Sequence, residues 1–158
     1  MLRKDIKKRS VKSGHYSEKD KSEALFIQGV QCLFRGRTDK NLRKARMLWG
    51  KSSALGNTKA MLGLGLMYLE GEGVEKDADI AQAWWEQAAK DGNVDAMLNL
   101  GRSYSMGDFG KCDHGKALEC YERAAAEGSQ EAKDRMRMMR FYGMGKRNRV
   151  QGGRRRKS

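Results

Sequence analysis

Proline is absent from the 158 residues, although glycine occurs 19 times. Proline breaks helix interiors, and glycine supplies the positive φ found at helix C-termini, so this combination favours helices separated by glycine turns. The same composition excludes collagen-like and proline-rich architectures and argues against most β-sandwiches.

Long apolar segments and a cysteine framework are also missing. No window approaches the roughly 18 consecutive apolar residues of a membrane-spanning helix, and the basic N-terminal residues are not followed by the hydrophobic stretch of a secretory signal. The three cysteines, Cys32, Cys112 and Cys120, are odd in number and irregularly spaced. We therefore expect an intracellular protein, cytoplasmic or nuclear, with reduced thiols.

Acidic residues are missing from the last 18 positions, which carry seven Lys and Arg residues. Residues 1–22 carry eight basic and three acidic residues, so the two ends hold +12 of the formal net charge of +13. Segments with so few apolar side chains cannot offset the entropy that is lost on ordering. We expect disordered basic tails at 1–22 and 146–158, flanking a solenoid domain at 23–145.

The basic tails have three interpretations: solvated tails that aid solubility, nuclear-import signals, or electrostatic contacts to nucleic-acid phosphates or to an acidic protein. The candidate residues for such contacts are Lys7, Lys8, Arg9, Lys146, Arg147, Arg149, Arg154, Arg155, Arg156 and Lys157.

A shift of 36 residues aligns the chain with itself without gaps. The match predicts units 24–59, 60–95 and 96–131, followed by a half unit at 132–145. Positions that we expect to be structural recur from one unit to the next: Gly65, Tyr68, Ala81, Trp85 and Gly92, then Gly101, Tyr104, Ala117, Tyr121 and Gly128.

Each unit has the pattern of two helices. In the second unit, apolar residues at helical spacing predict a helix over 60–69, which Gly71 and Gly73 end. Asp77 is a suitable N-cap for a second helix from Ala78 to Lys90, and Gly92 suits the left-handed position after it.

These residues resemble the Sel-1-like repeat family, a branch of the tetratricopeptide-like helical solenoids. The matching positions in the second unit are Ala60, Leu64-Gly65, Tyr68, Gly71, Gly73-Val74, Asp77, Ala81, Trp84-Trp85, Ala88-Ala89 and Gly92. The resemblance covers 60–131 strongly and 24–59 weakly, because Gln28 and Cys32 depart from the pattern. It implies an all-α, right-handed α-solenoid of stacked antiparallel helix pairs, with about three and a half repeats.

The resemblance further implies a non-enzymatic scaffold or adaptor that binds protein partners through the concave face, which the first helix of each pair lines. Residues at those positions predict a hydrophobic groove for a partner helix or extended segment. The alternative is that they pack neighbouring helices. The set comprises Phe26, Val30, Phe34, Leu62, Leu66, Leu69, Leu98, Arg102, Met106, Met138 and Phe141.

Three questions stay open at this point. A nucleic-acid or ribonucleoprotein-associated protein that binds through its tails is the alternative function. The half unit is either a cap, with Arg135, Arg137 and Arg140 as its polar face, or an unpaired edge. The charges of units 24–59 and 60–95, +7 and −6, favour either head-to-tail association or contact within one molecule.

Enzymatic interpretations are weaker. Cys112, His114 and Cys120 lie within nine residues, but three ligands without a recognised zinc spacing do not predict a metal site. Some secreted relatives of the family bind or hydrolyse β-lactams, but this chain has neither a signal peptide nor a cysteine pair in every repeat, so that activity is a distant alternative. We expect no catalytic residue, metal or cofactor.

Overall fold

The computed structural model describes residues 17–144, and all regular structure within them is helical. Each helix packs on its neighbours in the chain, most extensively within the pairs α1/α2, α3/α4 and α5/α6, which stack into a solenoid as predicted. The helices are α1 Glu18–Phe34, α2 Asp39–Ala54, α3 Thr58–Glu70, α4 Ala78–Lys90, α5 Val94–Met106, α6 His114–Ala126 and α7 Gln130–Phe141.

The first helix begins inside the segment that was predicted to be a tail. Ser17 Oγ accepts from the Asp20 backbone N–H and the Asp20 carboxylate accepts from the Ser17 N–H, each at 3.1 Å, which forms a capping box. The predicted boundary at residue 22 is therefore wrong by five residues. Residues 1–16 and 145–158, with all ten predicted tail contacts, lie outside the described residues.

Side-chain N-caps set the helix starts at the repeat period. Asn57, Asn93 and Ser129 cap α3, α5 and α7 at intervals of 36 residues. Asp77 caps α4, as predicted. The first unit lacks the Gly-x-Gly-Val loop, so α2 begins three residues earlier in the repeat than α4.

The core of each helix pair is an aromatic ring packed against a glycine of the partner helix. Trp85 is fully buried, and its indole Nε1 donates to the Leu62 carbonyl at 3.0 Å. A Cβ atom at Gly65 would overlap this indole, and one at Gly101 would come within 2.6 Å of the Tyr121 ring. The recurring glycines therefore let α3 and α5 approach the rings of α4 and α6.

Alanine substitution of two buried serines should change the free energy of unfolding in different ways. Ser103 is fully buried, and its hydroxyl has no hydrogen-bond partner among the described residues, whereas the buried Ser52 hydroxyl donates to the Ser22 carbonyl at 2.6 Å. We expect Ser103→Ala to leave the free energy of unfolding unchanged or to raise it, because an unsatisfied polar group is removed. Ser52→Ala should lower it by about 0.5–1.5 kcal/mol. Urea unfolding measures the stability of both variants. An equal loss of stability in the two would contradict the assignment of an unpaired hydroxyl to Ser103 and a hydrogen-bonded one to Ser52.

Candidate partner-binding surface

An apolar cleft of about 550 Å³ lies between α1 and α3, the first helices of the first two pairs. The side chains of both helices line it, the buried Trp49 closes it from α2, and two cations stand at its edge. Its lining residues are Phe26, Val30, Leu33, Phe34, Arg37, Trp49, Lys59, Leu62, Gly63 and Leu66.

The lining of the cleft includes a glycine that is specific to the second unit. A Cβ at Gly63 would lie 2.7 Å from the Trp49 ring, so glycine lets the backbone of α3 pack directly on the indole where both residues line the cleft. Phe26 packs on the same ring, with centroids 6.1 Å apart and planes inclined by 23°. The third unit has Asn99 at the position of Gly63. This contact between α3 and the Trp49 ring is therefore not part of the repeat pattern.

The charges at the edge of the cleft are paired within the molecule. Arg37 forms an ion pair with Glu72 of the second unit, and Lys59 forms one with Glu23 at 3.3 Å. The Lys59 ammonium also lies 5.9 Å from the centroid of the Phe26 ring. Of these two ion pairs, only Arg37–Glu72 joins the basic unit 24–59 to the acidic unit 60–95. All four side chains keep solvent access, so these ion pairs contribute little to stability.

The corresponding cleft two repeats further along, between α5 and α7, is polar. Leu98 replaces Phe26 at the matching position, but Arg102 replaces Val30 and Arg135 replaces Gly63. This cleft has a volume of about 270 Å³ and is lined by Asp95, Leu98, Asn99, Arg102, Tyr121, Glu131 and Arg135. The same face of the solenoid therefore changes from apolar to charged between its two ends.

The residues that were predicted to line a groove are divided between these two clefts and other positions. Leu98 and Arg102 line the polar cleft, and Leu69 lines neither cleft. Leu62, Leu66, Leu69 and Leu98 all pack against the core as well, which was the alternative interpretation of these positions. Three predicted residues, Met106, Met138 and Phe141, are exposed and line neither cleft. The apolar cleft brings five predicted residues together: Phe26, Val30, Phe34, Leu62 and Leu66.

Sequence reasoning missed part of the apolar cleft. Four lining residues were not singled out as groove residues: Arg37, Trp49, Lys59 and Gly63. The one signal available was the break in the repeat at Gly63, where the third unit has Asn99.

The candidate ligands that were weighed for a metal do not gather. Cys112 is exposed and Cys120 is buried, and neither forms a disulfide. Burial raises the pKa of the Cys120 thiol to about 11, so the thiol is protonated at neutral pH. Between residues 17 and 144, no three His, Cys, Asp or Glu side chains form a group that could hold a metal ion.

The family model for the Sel1 repeat matches residues 22–57, 58–93 and 94–129. The chain belongs to the Sel1 repeat family. The matched units have the predicted period and start two residues earlier than the predicted ones. Sel1 repeat proteins generally serve as non-catalytic scaffolds for protein–protein interaction. In the part of the chain that the structure describes, no helix is long and apolar enough to cross a bilayer.

Solved Sel1 repeat structures share this fold. The protective antigen c5321 of uropathogenic Escherichia coli strains and a Sel1 repeat protein from Oxalobacter formigenes are each 27% identical to this chain, with a TM-score of 0.70 over 78% of it. The matches cover 27% and 51% of those two proteins, respectively. Cysteine rich protein B of Helicobacter pylori is 22% identical, with a TM-score of 0.55 over 77% of this chain and 98% of its own, and shows the fold alone. No curated protein matches the sequence.

The last helix among residues 17–144, α7, departs from the Sel1 pattern at the positions where a second helix would pack. Arg137 occupies the repeat position of Gly65 and Gly101, and Arg140 occupies that of Tyr104. Both arginines are exposed. Because the glycine is what admits an aromatic ring from the second helix, α7 has the polar face that a closing helix requires.

Proposed function

We propose that this Sel1 repeat protein is a non-enzymatic interaction scaffold that holds a partner protein through the apolar cleft between α1 and α3. The observation that carries the proposal is the contrast along one face of the solenoid. The face is apolar between α1 and α3, while the matching surface between α5 and α7 is charged. Phe26, Val30, Leu62 and Leu66 also pack against the cores, and we attribute to binding the apolar surface that they keep exposed in the cleft.

The cleft suits an apolar helix or extended segment of the partner. Phe34 is 87% exposed at the end of α1, and Phe26, Leu62 and Leu66 are each half-buried. Burial of aromatic and aliphatic side chains at the centre of an interface supplies most of the binding energy in many complexes.

The decisive variant is Leu66→Arg. Arg102 occupies the same position in the third unit and is exposed there, so the fold accepts arginine at this position. We expect the variant to weaken partner binding by about thirtyfold, the factor that corresponds to the loss of a hot spot of about 2 kcal/mol. The measurement is quantitative pull-down with mass spectrometry, followed by titration of the identified partner.

Two controls separate this result from its alternatives. Ile80→Arg changes an exposed apolar residue of α4, outside the cleft, and should leave binding intact. A nuclease-treated arm tests the nucleic-acid alternative, which rests on tail residues outside the described part of the chain. Undiminished binding by a folded Leu66→Arg protein, or loss of the partner on nuclease treatment, would refute the scaffold proposal.

A further inference from the structure

Another cavity, of about 320 Å³, lies between α4, α5 and α6 and shares no lining residue with either cleft. We call it the α6 pocket. Three buried side chains, Leu100, Tyr104 and Cys120, form its floor. Its rim is polar and consists of an amide, two carboxylates and two cations: Gln82, Glu86, Glu119, Lys116 and Arg123. A buried floor with a few polar groups around it is typical of small-molecule sites.

Hydrogen bonds hold the polar groups of α4 and α5 in place. Gln82 Nε2 donates to Glu86 Oε1 at 2.6 Å and to the Tyr104 hydroxyl oxygen at 3.0 Å. The Tyr104 hydroxyl donates to the same Glu86 oxygen at 3.3 Å. Burial, together with the Glu86 carboxylate, raises the pKa of Tyr104 to about 12, so the hydroxyl keeps its proton. The Lys116 ammonium lies 5.2 Å from the centroid of the same ring, so opposite charges stand on either side of it.

Each side chain that α6 contributes to the pocket differs from the side chain at the same repeat position in α4. Cys120 takes the place of Trp84, whose partly buried indole packs against both core clusters. The other three changes replace a neutral side chain by a charged one: Ile80 by Lys116, Ala83 by Glu119 and Gln87 by Arg123. The third unit therefore has a small thiol where the second unit has a ring, and charged groups surround it.

We propose that the α6 pocket binds a free aromatic α-amino acid. The ring of the ligand lies on the buried floor, in the place that an indole has in the preceding unit. Its ammonium group binds the two carboxylates of the rim, and its carboxylate binds the two rim cations. A zwitterion matches both pairs of charges, whereas a ligand of one sign is repelled by one pair. The proposal is independent of the cleft between α1 and α3.

An aromatic side chain of a partner protein is the other source of such a ring, and it suits the pocket less well. Inside a peptide chain the backbone carries neither the ammonium nor the carboxylate. The rim charges would then lose hydration without gaining an ion pair, which costs free energy. A free amino acid satisfies both the floor and the rim.

The test is a titration of the full chain with L-tryptophan, followed by saturation-transfer NMR of the ligand. We expect saturable binding with a Kd of about 1 mM or below. Indole and N-acetyltryptophanamide carry the ring without the two charges, and glycine carries the two charges without the ring. Each of these three probes should bind at least about tenfold more weakly than tryptophan.

Two variants use residues that the repeat itself has at these positions. Cys120→Trp introduces the side chain of Trp84 and should abolish binding, because its ring fills the pocket. Glu119→Ala introduces the residue found at position 83 and should weaken tryptophan binding about tenfold, because a charge-assisted contact is lost. Thermal unfolding checks that each variant is folded, and Glu119→Ala decides the test by itself should Cys120→Trp unfold.

Glu127→Ala is the matched control. It removes the same charge from an exposed residue that follows α6 and lies outside the pocket, so it should bind tryptophan like the wild type. Three results would overturn the proposal: no saturable binding of tryptophan, equal binding of N-acetyltryptophanamide, or unchanged binding by folded Cys120→Trp or Glu119→Ala. An equal loss in Glu127→Ala would overturn it as well, because net charge and not the pocket would then govern binding.

Discussion

Replacing Trp85 with alanine is expected to lower the free energy of unfolding by about 3–5 kcal/mol. The indole is fully buried between α3 and α4, it contacts Gly65, and its Nε1 donates to the Leu62 carbonyl. Alanine would leave a cavity that the stacked helices cannot close without moving, and it would remove the hydrogen bond. The effect should reach both neighbouring units, because a solenoid repeat is stabilised by the repeats beside it.

Trp84→Ala is the matched control in the same helix. Trp84 is only partly buried, at the edge of the two core clusters, so its loss should lower the free energy of unfolding less than the loss of Trp85. Urea unfolding followed by circular dichroism measures both variants. A loss of under about 1 kcal/mol for Trp85→Ala, or a larger loss for Trp84→Ala, would contradict the position of Trp85 in the core.

Gly65→Ala should also be strongly destabilising, although alanine favours helices. The added Cβ would overlap the buried Trp85 indole, so either the ring or α3 must move. Forced overpacking of this kind lowers the free energy of unfolding by about 1–3 kcal/mol. Because the glycine recurs at Gly29 and Gly101 against Trp49 and Tyr121, the same substitution should be harmful there too.

Gly50→Ala tests whether this loss comes from contact rather than from helix propensity. Gly50 lies inside α2, and a Cβ at this residue would meet no atom within 4 Å. Alanine should therefore raise the free energy of unfolding by about 0.5–1 kcal/mol. Opposite signs for Gly50→Ala and Gly65→Ala in denaturant titrations are the expected result, and a stabilising Gly65→Ala would refute close packing of glycine on the ring.

The repeat made most of the fold predictable. Gly65 and Trp85 recur in neighbouring units, so they were assigned as structural from spacing alone, and the structure shows why each needs the other. The helix from Ala78 to Lys90 was predicted with the bounds that it has, because Asp77 caps it and Gly92 follows it. The start of α1 was missed because residues 1–22 were assigned to a tail from their charge and few apolar side chains, whereas a capping box of Ser17 and Asp20 begins the helix at Glu18.

The binding surface was less predictable, for a physical reason. Leu66 and Arg102 have the same position in the repeat. Whether they line one groove depends on which side chains of the next helix lie opposite each of them, and the repeat pattern does not give this information. Gly63 and Trp49 line the apolar cleft with Leu66, whereas Arg135 and Glu131 line the cleft near Arg102. Individual departures from the repeat decide where this solenoid is apolar.

The most direct test of the apolar cleft as the partner site is photo-crosslinking from two equivalent positions. A photoreactive phenylalanine derivative replaces Leu62, in the apolar cleft, or Leu98, which has the same repeat position in the polar cleft. Both positions are half-buried, so the probe has similar access to solvent in the two proteins. We predict covalent adducts with the partner from position 62 and none from position 98. Equal adducts from the two positions, or adducts from position 98 alone, would contradict the assignment of the partner to the cleft between α1 and α3.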